Sequence, residues 1–217
     1  PPHHVAVNKW YRGTADAIFH NLDTITDWTP PNVVVLSGDH VYQMDYRDML
    51  REHVEHGASL TIGAVRIKAE EASRFGILQI AADGRVTGFV EKPKATAPQI
   101  PGDPGYCLAS MGIYVFETQE LVRRLREDNA MPEGQGGDFG QHVIPRMIAA
   151  VPVYAHFFRG LEGEKDKDPY WRDVGTIEAY FDANMDLCSV KPQLNLYHQD
   201  WPTYTLKYKA DANSQTT

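Results

Sequence analysis

The stretch "VVVLSGDHVY", residues 33 to 42, decides the fold, because an apolar run breaks there into Ser37, Gly38 and Asp39. Val33, Val34, Val35 and Leu36 are too few for a helix. A β-branched run without polar alternation suits a strand covered on both faces, as in a parallel sheet. In open α/β sheets ligands lie just beyond the carboxyl ends of such strands, so Asp39 falls where a substrate would be held. Gly-Asp is also a common turn pair, and this stretch alone leaves both readings open.

Working outward, "TADAIFHNLDTI" upstream repeats Ala15, Ile18, Phe19, Leu22 and Ile25 at helical spacing, with Thr14 as the expected N-cap. Downstream, "MDYRDMLREHVEHG" reads as a helix capped by Asp45 and stopped by Gly57, and "ASLTIGAVRI" as a strand. Strand, helix and strand with short links are the grammar of a βαβ unit. "FGILQI" and "GRVTGFVEK" flank an Asp83-Gly84 turn and predict a hairpin. "KATAPQIPGDPG" is expected to be a surface loop. "SMGIYVF" and "VPVYAHFF" read as strands, and "TQELVRRLRED" as an amphipathic helix. "DFGQHVIPRMIAA" reads as a helix interrupted by Pro145. "YWRDVGTIEAYFDANMDL" predicts a loop carrying Asp173, then a helix capped by Thr176.

Of the 217 residues 42% are apolar and 23% charged, which is ordinary for a globular chain able to bury a core. No apolar run approaches the roughly 20 residues that span a bilayer, and the start lacks signal-peptide character. The expectation is a soluble cytoplasmic protein without membrane contact. A formal charge of −8 argues against wholesale nucleic-acid binding. Cys107 and Cys188 are far apart and suggest neither a disulfide framework nor a thiolate metal site.

Asp39 and Asp173 each follow an apolar or aromatic segment. If the fold joins them they make an oxygen-ligand site for Mg²⁺, which uses one or two carboxylates plus substrate phosphates. A loop ion pair between Arg172 and Asp173 is the structural alternative. "FVEKP" ends a strand with Glu91 and Lys92, which point to opposite faces if the strand is regular. Such a lysine suits a phosphate, and such a glutamate accepts sugar hydroxyls. Lys9 and Arg12, near a helix start, are further phosphate candidates. His53 and His56 lie one turn apart, but "HVEH" is not a zinc pattern, and a solvated face is expected. His40 is expected to orient the Asp39 loop, and the tryptophans to anchor core or interface.

Taken in order, "WYRGTADAIFHNLD", "VVVLSGDHVYQMDYRDML", "SRFGILQI", "FVEKP", "LASMGIYVF", "YWRDVGTIEAYFDANMDL" and "LNLYHQDWPTYT" resemble successive blocks of the bacterial glucose-1-phosphate adenylyltransferases, from about Trp10 to Thr205. The resemblance implies an α/β fold with a Rossmann-like, mostly parallel sheet of the nucleotidyltransferase (glycosyltransferase A-like) type and an inserted β-hairpin. It implies formation of ADP-glucose and pyrophosphate from ATP and glucose 1-phosphate, with Mg²⁺, for glycogen synthesis. By position, Asp39 and Asp173 match the metal-side aspartates, and Asp39 and Lys92 the catalytic pair. Tyr11, Gly76, Glu91, Lys92 and Ser110 match glucose 1-phosphate contacts, and Gly13 and Thr14 the nucleotide side.

The family begins with a glycine-rich basic loop, G-G-x-G-x-R-L, which this sequence does not contain, and continues into a left-handed β-helix. The resemblance therefore implies an incomplete catalytic domain over residues 1–190 and a linker over 191–217. It further implies open strand edges, little activity in the piece alone, and an allosteric homotetramer in the full-length protein. Asp27 stands where a basic effector-binding residue is expected. Synthesis of UDP- or dTDP-glucose, or a non-catalytic sugar-phosphate-binding regulatory subunit, are the alternatives.

Overall fold

Thr14–Phe19 (α1) and Leu22–Trp28 (α2) open the chain in a computed structural model that describes residues 10–132, 134–160, 169–199 and 201–202. The single helix expected from the 15–25 periodicity is thus two, separated at His20 and Asn21. Gly13, not Thr14, occupies the N-cap. The hydroxyl of Thr14 is instead spent on residues 125 positions away, accepting the N–H of Phe139 at 3.2 Å. Lys9 lies outside the described residues.

Next come β1 (Asn32–Leu36), β2 (His40–Tyr42), α3 (Tyr46–Glu55) and β3 (Leu60–Lys68). The Asp45 side chain accepts the Arg47 N–H at 2.9 Å. Such a cap contributes about 1 kcal/mol. Gly57, at φ 57°, ends the helix as its sequence position predicts. After a 3-10 turn over Ala69–Arg74 follows the expected hairpin, β4 (Gly76–Ile80) and β5 (Val86–Glu91), with Gly84 at φ 82° in its turn. β6 (Tyr106–Glu117), α4 (Thr118–Asn129), a π-helical turn (Phe139–Val143), α5 (Ile144–Ala150), β7 (Val153–Phe157), β8 (Trp171–Asp173) and α6 (Ile177–Leu187) complete the order. The helical run expected over "DFGQHVIPRMIAA" is present and changes character beside Pro145, the π-helical turn Phe139–Val143 passing directly into α5 with Pro145 in its first turn. Thr176 caps α6 through the Ala179 N–H.

The main sheet runs β5-β4-β6-β3-β7, with β1 also on β6. The α/β class and the inserted hairpin hold, but the mostly parallel direction does not. Among the described residues only β3·β7 is a parallel ladder, because β6 inserts antiparallel between β1 and β3. Neighbour choice across a sheet is a long-range matter that strand periodicity does not carry. Alternation along the central strands feeds two cores. Leu60, Ile62, Leu108, Tyr114 and Phe116 face α1, α4 and α5, whereas Val65, Ile67, Met111, Ile113 and Val115 face α3 and Trp171. The result is a helix–sheet–helix sandwich.

β1 departs from the fully buried strand expected of "VVVL". Val33, Val34 and Val35 are half-buried and Leu36 is exposed. Among the described residues one edge of β1 is unpaired, as the resemblance implied. His53 also reverses its expectation. It is buried, with Nδ1 2.8 Å from the Thr61 hydroxyl, while His56 stacks on Tyr154. Trp171 is core, whereas Trp10 and Trp28 are exposed. Both cysteines are free thiols.

Candidate active site

Asp39 ends the turn after β1, and Asp173 ends β8. β2 and β8 pair antiparallel with His40 opposite Asp173, and the Val174 N–H donates to the Asp39 carbonyl at 2.9 Å. This small ladder brings Asp39, His40 and Asp173 together with ligand atoms all within 4.8 Å of one another. A Cβ at Gly175 would lie 3.0 Å from Asp173 Oδ1 and 3.6 Å from Asp39 Oδ2, so glycine keeps the space before both carboxylates clear. Gly112, at φ 66°, lets the Ser37–Gly38–Asp39 turn approach β6, because a Cβ there would stand 2.3 Å from the Ser37 hydroxyl. Two hard carboxylates facing a cleared space fit a divalent cation of the Mg²⁺ kind. The nearby His40 Nδ1 and Trp171 Nε1 are buried without a partner among the described residues. Arg172 pairs with Asp186 instead of Asp173, which sets aside the loop ion pair. Asp173 Oδ1 instead accepts the Gly175 N–H at 2.9 Å.

A second group lies across the hairpin. Lys92, just past β5, has φ 45°, a left-handed conformation uncommon for a residue with a Cβ. That turn of the backbone corrects the opposite-face expectation, because Lys92 Nζ comes within 4.0 Å of Glu91 Oε1. The Lys92 N–H is anchored on the Phe75 carbonyl at 3.0 Å. Glu91 Oε2 sits between two glycines. A Cβ at Gly76 would be 2.8 Å from it, and one at Gly140 would be 2.6 Å away. Ser110 is buried, with its hydroxyl 3.3 Å from that of Tyr114. Gly13 packs on Gly137, whose carbonyl a Cβ would meet at 2.5 Å, and the Thr14 hydroxyl lies 3.3 Å from Asp138. Tyr11 is exposed beside His20, and no described contact joins it to Glu91 or Lys92.

A nucleotidyl transferase family model matches residues 3–190. The chain belongs to the nucleotidyl transferase family. Among curated relatives it is 47% identical over 203 residues to a glucose-1-phosphate adenylyltransferase of Novosphingobium aromaticivorans, covering 93% of this chain and 48% of the relative. It is 46% identical over 203 residues to one from Yersinia pseudotuberculosis, covering 93% of this chain and 47% of the relative. This nucleotidyl transferase chain thus spans about half the length of the curated relatives it matches.

Residues 74–76 of the nucleotidyl transferase join its two groups. Arg74 Nη2 lies 3.7 Å from Asp173 Oδ2, Phe75 packs edge-on against Trp171 with centroids 5.2 Å apart, and Gly76 opens onto Glu91. Sequence reading passed over Arg74, Asp138, Gly140 and Tyr114, since none carries a local pattern beyond lying in "SRFGILQI", "DFGQ" or "MGIYVF". A cavity of about 730 Å³ lies elsewhere, between α3 and the end of β7, and contains none of these residues. Its charges are largely spent on one another: Arg47 on Asp45, Arg51 on Asp48 and His156 on Glu52.

Burial raises the pKa of Glu91 above its ordinary value; the Lys92 ammonium lowers it, and the Asp138 charge raises it again. Burial also pushes the Tyr114 phenol up to about 12. Because folded Glu91 holds its proton to higher pH than the unfolded chain does, its contribution is best in acid. It falls as pH rises from the unfolded pKa through the raised folded one, then stays constant. Glu91→Gln is therefore expected to raise the melting temperature at pH 7 more than at pH 4, as read by thermal unfolding. An equal change at both pH values would contradict this assignment.

Proposed function

We propose that this chain supplies the metal and sugar-phosphate side of a glucose-1-phosphate adenylyltransferase, which joins ATP and glucose 1-phosphate into ADP-glucose and pyrophosphate for glycogen synthesis. The observation that carries the reading is the meeting of Asp39 with Asp173 before the space kept clear by Gly175, linked to the Glu91–Lys92 pair by the segment Arg74–Phe75–Gly76. The names of the relatives support adenylyl transfer in particular.

In this reading a phosphate oxygen of glucose 1-phosphate attacks the α-phosphorus of ATP in line, and pyrophosphate leaves. No side-chain nucleophile is needed, so the protein's work is positioning and charge neutralisation. Lys92 holds the sugar phosphate, its amine aimed by the left-handed backbone. Glu91 accepts sugar hydroxyls, Ser110 and Tyr114 offer hydroxyls of their own, and Gly76 lets the sugar approach the backbone. Tyr11 borders the sugar phosphate, while Gly13 and Thr14 set the nucleotide side through their hold on the 137–139 loop. Mg²⁺, held by Asp39 and Asp173, would neutralise phosphate charge.

The same reading assigns the full-length protein to the cytoplasm as an allosteric homotetramer, without nucleic-acid or membrane partners. Among the described residues no helix is long and apolar enough to cross a membrane. The test is pyrophosphate release by a polypeptide of the relatives' full length containing this sequence. It is given Mg²⁺, glucose 1-phosphate and one of ATP, UTP or dTTP. Preferential turnover with ATP is expected. Preference for UTP or dTTP overturns the adenylyl assignment, and saturable glucose 1-phosphate binding without turnover points to a regulatory subunit.

A further inference from the structure

Arg74 closes the 3-10 turn that leads into β4, and two rings hold it at the wall of the site. Its guanidinium carbon lies 5.1 Å from the centroid of Phe75, which itself packs on Trp171 at 5.2 Å. Its Nη2 is 3.7 Å from Asp173 Oδ2, too far for a hydrogen bond but close enough for Coulombic attraction. Among the described residues the side chain donates no hydrogen bond, and 48% of it is exposed. It is thus a permanent cation with its donors unspent, beside two carboxylates that repel one another. Only two basic side chains lie within 4.0 Å of these carboxylates among the described residues. The other is His40, 3.6 Å from Asp39.

We infer that Arg74 is a phosphate-binding residue of this site that serves as counter-ion to Asp173 until a divalent cation arrives. This inference rests on the metal-site reading above. A divalent cation on Asp39 and Asp173 takes over the neutralising role and repels the guanidinium from the carboxylate. The freed fork, steered by the Phe75 ring, then meets the phosphoryl group brought to the metal. Guanidinium suits this exchange because it is always charged and matches phosphate geometry with paired donors. The two roles require opposite responses when the charge is removed: bare metal should bind more tightly, and metal with phosphate more weakly.

The experiment titrates Mn²⁺ by electron paramagnetic resonance into a polypeptide of the relatives' full length that contains this sequence. It is run alone, with inorganic pyrophosphate and with glucose 1-phosphate, for the parent sequence, Arg74→Gln, Arg74→Lys and Asp39→Asn. Arg74→Gln should tighten Mn²⁺ alone about two- to fivefold, the worth of a partly exposed ion pair. It should weaken retention of one phosphate probe with Mn²⁺ by roughly tenfold, as expected for a lost charge-assisted contact. Which probe responds identifies the phosphate served. Arg74→Lys should keep the first behaviour and lose part of the second. If the parent binds Mn²⁺ and Asp39→Asn does not, but Arg74→Gln changes nothing or shifts both affinities the same way, only the Arg74 assignment falls. If the parent binds Mn²⁺ no better than Asp39→Asn, the metal site itself falls, and Arg74 with it.

Discussion

Asp39→Asn, in a polypeptide of the relatives' full length, is expected to lower kcat for pyrophosphate release by about 10²- to 10³-fold at saturating substrates, the scale set by removing one preorganised electrostatic partner. Folding should be nearly untouched, within about 0.5 kcal/mol, as for exposed positions generally. The Asp39 side chain is 62% exposed, and the bond that secures the β2–β8 ladder comes from its backbone carbonyl. The paired readout is therefore a collapsed rate with an unchanged melting temperature. Lys92→Ala should separate from it by raising KM for glucose 1-phosphate with a smaller loss in kcat. An Asp39→Asn enzyme that turns over normally at saturating Mg²⁺ would remove the central assignment of this site.

Asp128→Ala addresses the support beneath the site, and is expected to cost about 3 kcal/mol of stability. Asp128 is buried on α4, accepts the Gly137 N–H at 2.6 Å and pairs with Arg146. Its removal leaves a buried N–H and a partly buried guanidinium unmatched. For a chain of this size that corresponds to a fall of roughly 6–12 °C in melting temperature. The damage should spread along the 134–140 loop, because Gly137 also accepts the Asp16 N–H at 3.0 Å and Gly140 abuts Glu91. Asp16, at the other end of that connection, is itself buried. Burial raises its pKa, but hydrogen bonds from Arg12 outweigh that and leave it below the ordinary value. Adding Arg146→Met to Asp128→Ala should recover part of the loss, since an unpaired charge is worse than an apolar neighbour. Denaturant unfolding that shows less than about 0.5 kcal/mol for the single variant would mean that this network does not hold the loop.

Local chemistry was readable in the sequence wherever one residue enforces it. Asp45 and Thr176 announce helix starts, Gly57 a stop, and Asp83-Gly84 a hairpin. The β-branched run before Asp39 announces a strand, though not its burial. What depends on distant partners was not readable. Nothing in "SMGIYVF" says that β6 will run antiparallel between β1 and β3, and nothing in the 15–25 periodicity says that the helix breaks at Asn21. Thr14 looks like a cap because its bond to Phe139 lies 125 residues away. The site divides in the same way. Asp39 and Asp173 were visible as candidates, but their meeting depends on a three-residue ladder between segments that sequence distance does not connect. Glu91 and Lys92 were visible too. Their common direction depends on the φ of 45° at Lys92, for which its own residue type gives no signal.

The segment Arg74–Phe75–Gly76 acts as a fixed gauge. One end faces Asp173, the middle carbonyl fastens Lys92, and the far end receives Glu91, so three consecutive residues link the two charged groups. Such a gauge is set by count as much as by side chain. A single inserted or deleted residue would flip the following strand face for face and slide Gly76 off Glu91. Length variation in descendants of this sequence should therefore collect in the 94–105 loop and the hairpin turn, and spare these three positions.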